Sequence, residues 1–162
     1  MDVSRRRFFS GGLSAPGHRP PWSVAEAQFI ERCTRCDQCI AACAPQVLVA
    51  GAGGFPVIRF EQAGCTLCGD CVSACRHQAL VRDAAGEPFP WRAALTDRCL
   101  AERGVECRLC GESCDTDAIR FRPRLGGISR PELNTDRCTG CGHCVAACPV
   151  DAITTQPKEE AA

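Results

Sequence analysis

The sequence is poor in lysine and histidine, and it lacks both net charge and long apolar runs. Lys158 is the single lysine, so arginine carries nearly all the positive charge. Nineteen basic residues balance 19 acidic ones, and a balanced chain has no overall attraction to nucleic acid or to an anionic membrane surface. No apolar stretch approaches the ~20 residues that a membrane-spanning helix requires. Absent too are a G-x-G-x-x-G phosphate loop, a P-loop and a nucleophile elbow. No side-chain pair stands out as a catalytic acid and base, so an enzyme with its own substrate pocket is not expected. No secretory leader is read at the start, which points to a reducing compartment.

What is abundant is cysteine, 16 in 162 residues, far above ordinary usage. Small cysteine-dense units bury little apolar surface and need another framework. Disulfides would require an oxidising compartment, and cysteines two residues apart cannot reach each other without strain. Zinc ribbons place two C-x2-C pairs on either side of a long loop. This chain instead repeats C-x2-C-x2-C-x3-C. The runs are Cys33, Cys36, Cys39, Cys43; then Cys65, Cys68, Cys71, Cys75; then Cys138, Cys141, Cys144, Cys148, with Pro149 following. This is the bacterial ferredoxin run, whose thiolates hold a cubane [4Fe–4S] cluster. Three cysteines on a tight loop clasp three corners of one cube, and the fourth ligates the neighbouring cluster. After the second cysteine stand Asp37, Gly69 and Gly142, residue types that tolerate left-handed backbone. A Rieske centre needs two histidines on one iron, and no run is short of cysteine. His143, inside the last run, is therefore expected as an exposed neighbour that tunes potential.

A further run departs from the pattern: Cys99, Cys107, Cys110 and Cys114, with seven residues in the first gap instead of two. Thr96, Asp97 and Arg98 precede Cys99 just as Thr135, Asp136 and Arg137 precede Cys138. That parallel makes Cys99 the first ligand, with an insertion behind it. All 16 cysteines are candidate ligands, this run being the less regular, and three or four [4Fe–4S] clusters are expected. Each fourth cysteine is followed by three residues and then an apolar pair: Val47-Leu48, Ala79-Leu80, Ala118-Ile119, Ala152-Ile153. These read as strand starts behind short helical turns.

The repeat predicts an α+β fold of two tandem bacterial-ferredoxin-like units, related by a pseudo-twofold. Residues 22–82 form the first unit and 96–155 the second. Residues 1–21 are a basic arm, 83–95 a connection with Pro88 and Pro90, and 156–162 a polar tail. The repeat favours one cube on Cys33, Cys36, Cys39 and Cys75, and its partner on Cys65, Cys68, Cys71 and Cys43. In the second unit the sets are Cys99, Cys107, Cys110, Cys148 and Cys138, Cys141, Cys144, Cys114. A nested arrangement, outer runs paired and inner runs paired, is the alternative.

Before the first run, Ser4, Arg5, Arg6, Arg7, Phe8 and Phe9 resemble a twin-arginine export signal. The residues behind them lack the apolar stretch such a signal requires, so a basic docking arm is expected. Trp22 is expected to anchor the entry to the body, and Ser23 to cap a short helix with Glu26 in the capping-box position. Gly53 and Gly54 read as a turn, residues 55–60 as a strand, and Trp91 with the phenylalanines as core.

The chain from about residue 4 to 155 resembles the NapF family of ferredoxin-type proteins, of the periplasmic nitrate reductase system of bacteria. The resemblance rests on the Ser4, Arg5, Arg6 start, on Arg19, Pro20, Pro21, Trp22, Ser23, and on Cys33, Thr34, Arg35, Cys36, Asp37. It continues in residues 51–54, in Val105, Glu106, Cys107, Arg108, in Phe121, Arg122, Pro123, and in Leu133, Asn134. It implies a cytoplasmic accessory protein acting on the precursor of the nitrate reductase catalytic subunit before export, by electron delivery or cluster assembly. The residues alone equally suit a general electron carrier or an electron-transfer subunit of an oxidoreductase.

Overall fold

A computed structural model describes residues 18–83 and 86–158. Short elements and long loops dominate, as expected of a chain whose frame is not a large apolar core. A first helix, α1 (Glu26–Arg32), leads into the first cysteine loop and α2 (Gln38–Ala41). Strands β1 (Leu48–Ala50) and β2 (Pro56–Ile58) follow, joined through a tight turn at Ala52–Gly54, and then α3 (Asp70–Ser73). The second half holds β3 (Trp91–Leu95), α4 (Leu109–Glu112), β4 (Ile119–Arg124), β5 (Gly127–Leu133), α5 (His143–Ala146) and β6 (Ile153–Pro157). Among the described residues, three antiparallel two-stranded sheets result. Leu48 stands opposite Ile58, Ile119 opposite Leu133, and Leu95 opposite Ile153. Two-stranded ribbons are marginal alone, so each depends on what it packs against.

The apolar pairs after the fourth cysteines perform one task in both halves. Val47, Leu48, Ala79, Leu80, Ala118, Ile119, Ala152 and Ile153 are all buried. Val47 accepts a hydrogen bond from Arg59 N, and Ala118 accepts one from Asn134 N. Ala79 likewise accepts from Val24 N, and Ala152 from Thr96 N. The same backbone bonds therefore recur in each unit. The fold is a small α+β arrangement of two tandem ferredoxin-like units.

Two stretches differ from expectation. Residues 83–95, read as a connection, end in β3, which pairs along its whole length with β6. The reason lies in Phe89, Trp91 and Arg92. Phe89 is fully buried, Trp91 nearly so, and the Trp91 Nε1–H donates to Gly140 O at 3.2 Å. Arg92, only 3% exposed, donates to the Phe89, Trp91 and Thr135 carbonyls and pairs with Glu87 at 2.5 Å. A buried guanidinium whose donors are satisfied by its own segment and by Thr135 of the second unit fixes the segment it belongs to.

The other difference lies at the entry. Within the stretch read as an arm, His18 to Pro21 belong to the body. Pro20 and Pro21 are fully buried, and His18 stacks on Trp91 with ring centroids 4.2 Å apart. Trp22 is anchored as expected, its N–H bonded to Pro88 O and its carbonyl to Val81 N. Ser23 does not cap α1. Its hydroxyl donates to Pro20 O, and Ala25 occupies the cap position without a side-chain bond. Glu26 instead pairs with Arg19 at 2.6 Å, and that guanidinium lies over the Phe29 ring. The double-arginine segment at residues 4–9 lies outside the described residues.

Candidate metal centres

The cysteine loops turn through left-handed residues on either side of their second cysteine. Arg35 and Asp37 flank Cys36 at φ 58° and 57°, Leu67 and Gly69 flank Cys68 at 56° and 88°, and Gly140 and Gly142 flank Cys141 at 76° and 80°. Side chains other than glycine pay roughly 1–2 kcal/mol for this conformation. The expectation at Asp37, Gly69 and Gly142 is met. At Arg35 and Leu67 residue type carried no signal for it. A second left-handed residue stands three positions after every fourth cysteine: Gln46, Gln78, Asp117 and Asp151. These turns point backbone amides at sulfur. Ala118 N donates to Cys114 Sγ, and Ala152 N to Cys148 Sγ, each at 3.2 Å.

Among the described residues, four cavities are each lined by three cysteines of one run and the fourth of its neighbour. Cys33, Cys36 and Cys39 face one cavity with Cys75. Cys65, Cys68 and Cys71 share the next with Cys43. Cys138, Cys141 and Cys144 line a third with Cys114. Cys99, Cys107 and Cys110 line the last with Cys148. We number these quartets one, two, four and three, after the run that supplies three thiols. The spaces, measured out to their open mouths, are 390, 320, 410 and 330 Å³ in the order just given. The irregular run thus makes a cavity like the others. Its longer loop turns instead at Gly104, φ 83°, and Arg108 after Cys107 keeps a negative φ of −132°.

Among the described residues, no three His, Cys, Asp or Glu side chains converge on a point that one metal ion could occupy. Thiols spread around a cavity suit a cube, which takes each at a different corner. Their electrostatics point the same way. Burial pushes the Cys39, Cys65 and Cys110 thiols up to about 11, and Cys71 and Cys144 to about 12. Neighbouring thiolates add to the effect: Cys33 and Cys75 on Cys39, and Cys99 and Cys107 on Cys110. Such thiols are protonated unless iron replaces the proton. At the rims the balance reverses. The Gln38 N–H and the Thr34 hydroxyl lower the Cys36 thiol. At Cys114 burial raises the thiol, but hydrogen bonds from Thr116, Ile119 and Ala118 outweigh it and the net shift is downward.

Residues 32–79 and 104–152 each match the 4Fe-4S dicluster domain family. The chain is 44% identical over 158 residues to the ferredoxin-type protein NapF of Escherichia coli strain K12, spanning 96% of both proteins. It is also 44% identical over 165 residues to the ferredoxin-type protein NapF of Haemophilus influenzae, across 94% of this chain and 93% of the relative. The chain belongs to the NapF family of ferredoxin-type proteins. A more distant relative, the ferredoxin-type protein NapG of Escherichia coli strain K12, is 29% identical over 189 residues, 91% of this chain and 82% of the relative. Like its family, the chain is an iron–sulfur electron-transfer protein, with three or four [4Fe–4S] clusters.

His143 is not the exposed neighbour expected from the last cysteine run. It is half-buried, and its ring and backbone pack against Gly64 of the other unit. Nothing in the run itself marks this, because the contact comes from a residue 79 positions away. Among the described residues, no helix is long and apolar enough to cross a membrane.

Proposed function

We propose that all 16 cysteines are iron ligands, grouped as the four quartets above, and that the protein matures the periplasmic nitrate reductase catalytic subunit. The observation that carries the ligand assignment is the crossing: every cavity takes its fourth thiol from the adjacent run. This is the sequential pairing, and the lining of these four cavities supports it over the nested one. A [4Fe–4S] cluster, when bound, takes up and releases one electron. The chain's own groups do the rest. Cys39, Cys71, Cys110 and Cys144 hold the inner corners from short helices, and Leu48, Leu80, Ile119 and Ile153 keep water from behind them. The amides of Ala118 and Ala152 stabilise negative charge on Cys114 and Cys148.

The client and the cytoplasmic setting rest on the family resemblance read at residues 4–6, 19–23 and 105–108. There the protein would deliver electrons to the unexported subunit or assist its cluster assembly. An anaerobic pull-down from cytoplasmic extract, with the iron-loaded full chain as bait, tests this. Capture of the unexported, cofactor-poor subunit with little of its mature form supports maturation. No capture of either form, with iron loading confirmed, moves the reading to a general electron carrier.

A further inference from the structure

The two units do not merely adjoin; they are sewn together at their cysteine loops. Cys65 N donates to Cys141 O at 2.7 Å, so the first cysteine of one run is bonded to the second cysteine of another. The neighbouring positions leave no room for side chains. A Cβ on Gly64 would meet His143 Cγ at 2.4 Å and His143 N at 2.6 Å. One on Gly142 would sit 2.3 Å from the Phe60 ring, and one on Gly140 would sit 2.8 Å from Trp91 O. Phe60, Phe89 and Trp91 form a continuous aromatic wall beside these glycines, with centroids 6.4 and 4.5 Å apart.

Within each unit the quartets are joined by helix packing. Helix α2, carrying Cys39, packs on α3, carrying Cys71; α4, carrying Cys110, packs on α5, carrying Cys144. The described residues thus place the quartets in an order that differs from chain order.

We propose that Gly64, Gly140 and Gly142 are positioning residues of an inter-unit coupling junction, which holds quartets two and four in contact through the Cys65–Cys141 bond. The resulting series runs one, two, four, three, so the irregular quartet stands at an end and not in the middle. This rests on the ligand assignment of the proposed function. An electron crossing the junction leaves one side oxidised by one and the other reduced by one, with no bond made and no proton moved. A one-electron reductant at one end supplies it.

The test uses low-temperature EPR of the dithionite-reduced full chain, in which paramagnetic centres close together broaden each other. Packing within each unit produces such broadening too, so the decisive protein carries Cys33→Ala, Cys36→Ala, Cys99→Ala and Cys107→Ala. It leaves quartets two and four, one on each side of the junction, and about eight irons. Expected is a spin-coupled spectrum. Two independent, uncoupled signals at that iron content overturn the junction. An iron content well below it overturns the ligand assignment instead, so the two failures are distinct. Gly64→Ala in the same background, at equal iron, should lose the coupling. Its retention would deny Gly64 the positioning role, and if that variant loses iron, the parent protein alone decides.

Discussion

Replacing Phe89 with alanine should destabilise both units at once. Phe89 is fully buried, 4.5 Å from the Trp91 ring centroid and 6.4 Å from that of Phe60. The site cannot easily collapse around the hole, because its neighbours are held by other bonds. Trp91 is tied to Gly140 O, and Arg92 is tied to Thr135 O and Glu87. Truncating a buried phenylalanine costs about 3–5 kcal/mol, with the upper end where relaxation is small. For a chain of this size that corresponds to a fall of roughly 6–20 °C in the apparent Tm. Cluster loss makes unfolding irreversible, so wild type and variant must be scanned at one rate, iron-loaded and without oxygen. Visible absorbance reports the clusters and far-UV circular dichroism the backbone. Both should move together, because Phe89 packs against Phe60 of the first unit and against Trp91 of β3, which pairs with β6 of the second. Phe55→Ala, at the half-buried edge of the same core, should cost less. A fall below about 2 °C for Phe89→Ala, or loss of half the absorbance in a separate earlier step, would refute the reasoning.

The crossed quartets predict which clusters fail together. Cys148→Ala should remove about four irons and perturb the site of Cys99, Cys107 and Cys110 while the Cys138 site persists. Perturbation of the Cys33, Cys36 and Cys39 site instead, read by site-selective spectroscopy, would restore the nested pairing. Arg92→Met should cost about 1–3 kcal/mol, since the Phe89, Trp91 and Thr135 carbonyls lose their donor, and a thermal scan within 1 °C of wild type would contradict it. The iron-free chain should weaken at high pH. Burial raises the folded-state Cys71 and Cys144 thiols to about 12, above the ~8.5 of a free thiol. Their stabilising contribution is therefore complete below about pH 8.5 and lost as pH rises toward 12. Thiolate absorbance should rise together with unfolding in an alkaline titration. In the iron-loaded chain, whose sulfurs have no proton to lose, this transition should be absent.

The sequence by itself determined the chemistry and most of its local geometry. C-x2-C-x2-C-x3-C allows few loop shapes, and Asp37, Gly69 and Gly142 stand where a loop must turn left-handed. The apolar pairs behind the fourth cysteines are legible for the same reason: a short strand must bury something at a fixed distance from its cluster helix. Tertiary structure alone decided what lies between units. Leu67 and Arg35 adopt left-handed backbone because the loop around them leaves no other course, a constraint that residue type does not display. The Pro-rich stretch before Trp91 looks like a linker, yet Trp91 and Arg92 find partners 40 to 50 residues away that turn its end into a strand. Gly64 reads as an ordinary loop glycine until His143 is placed against it. Local spacing fixes what neighbouring residues can hold, whereas a contact between distant segments depends on the whole chain having already folded around it.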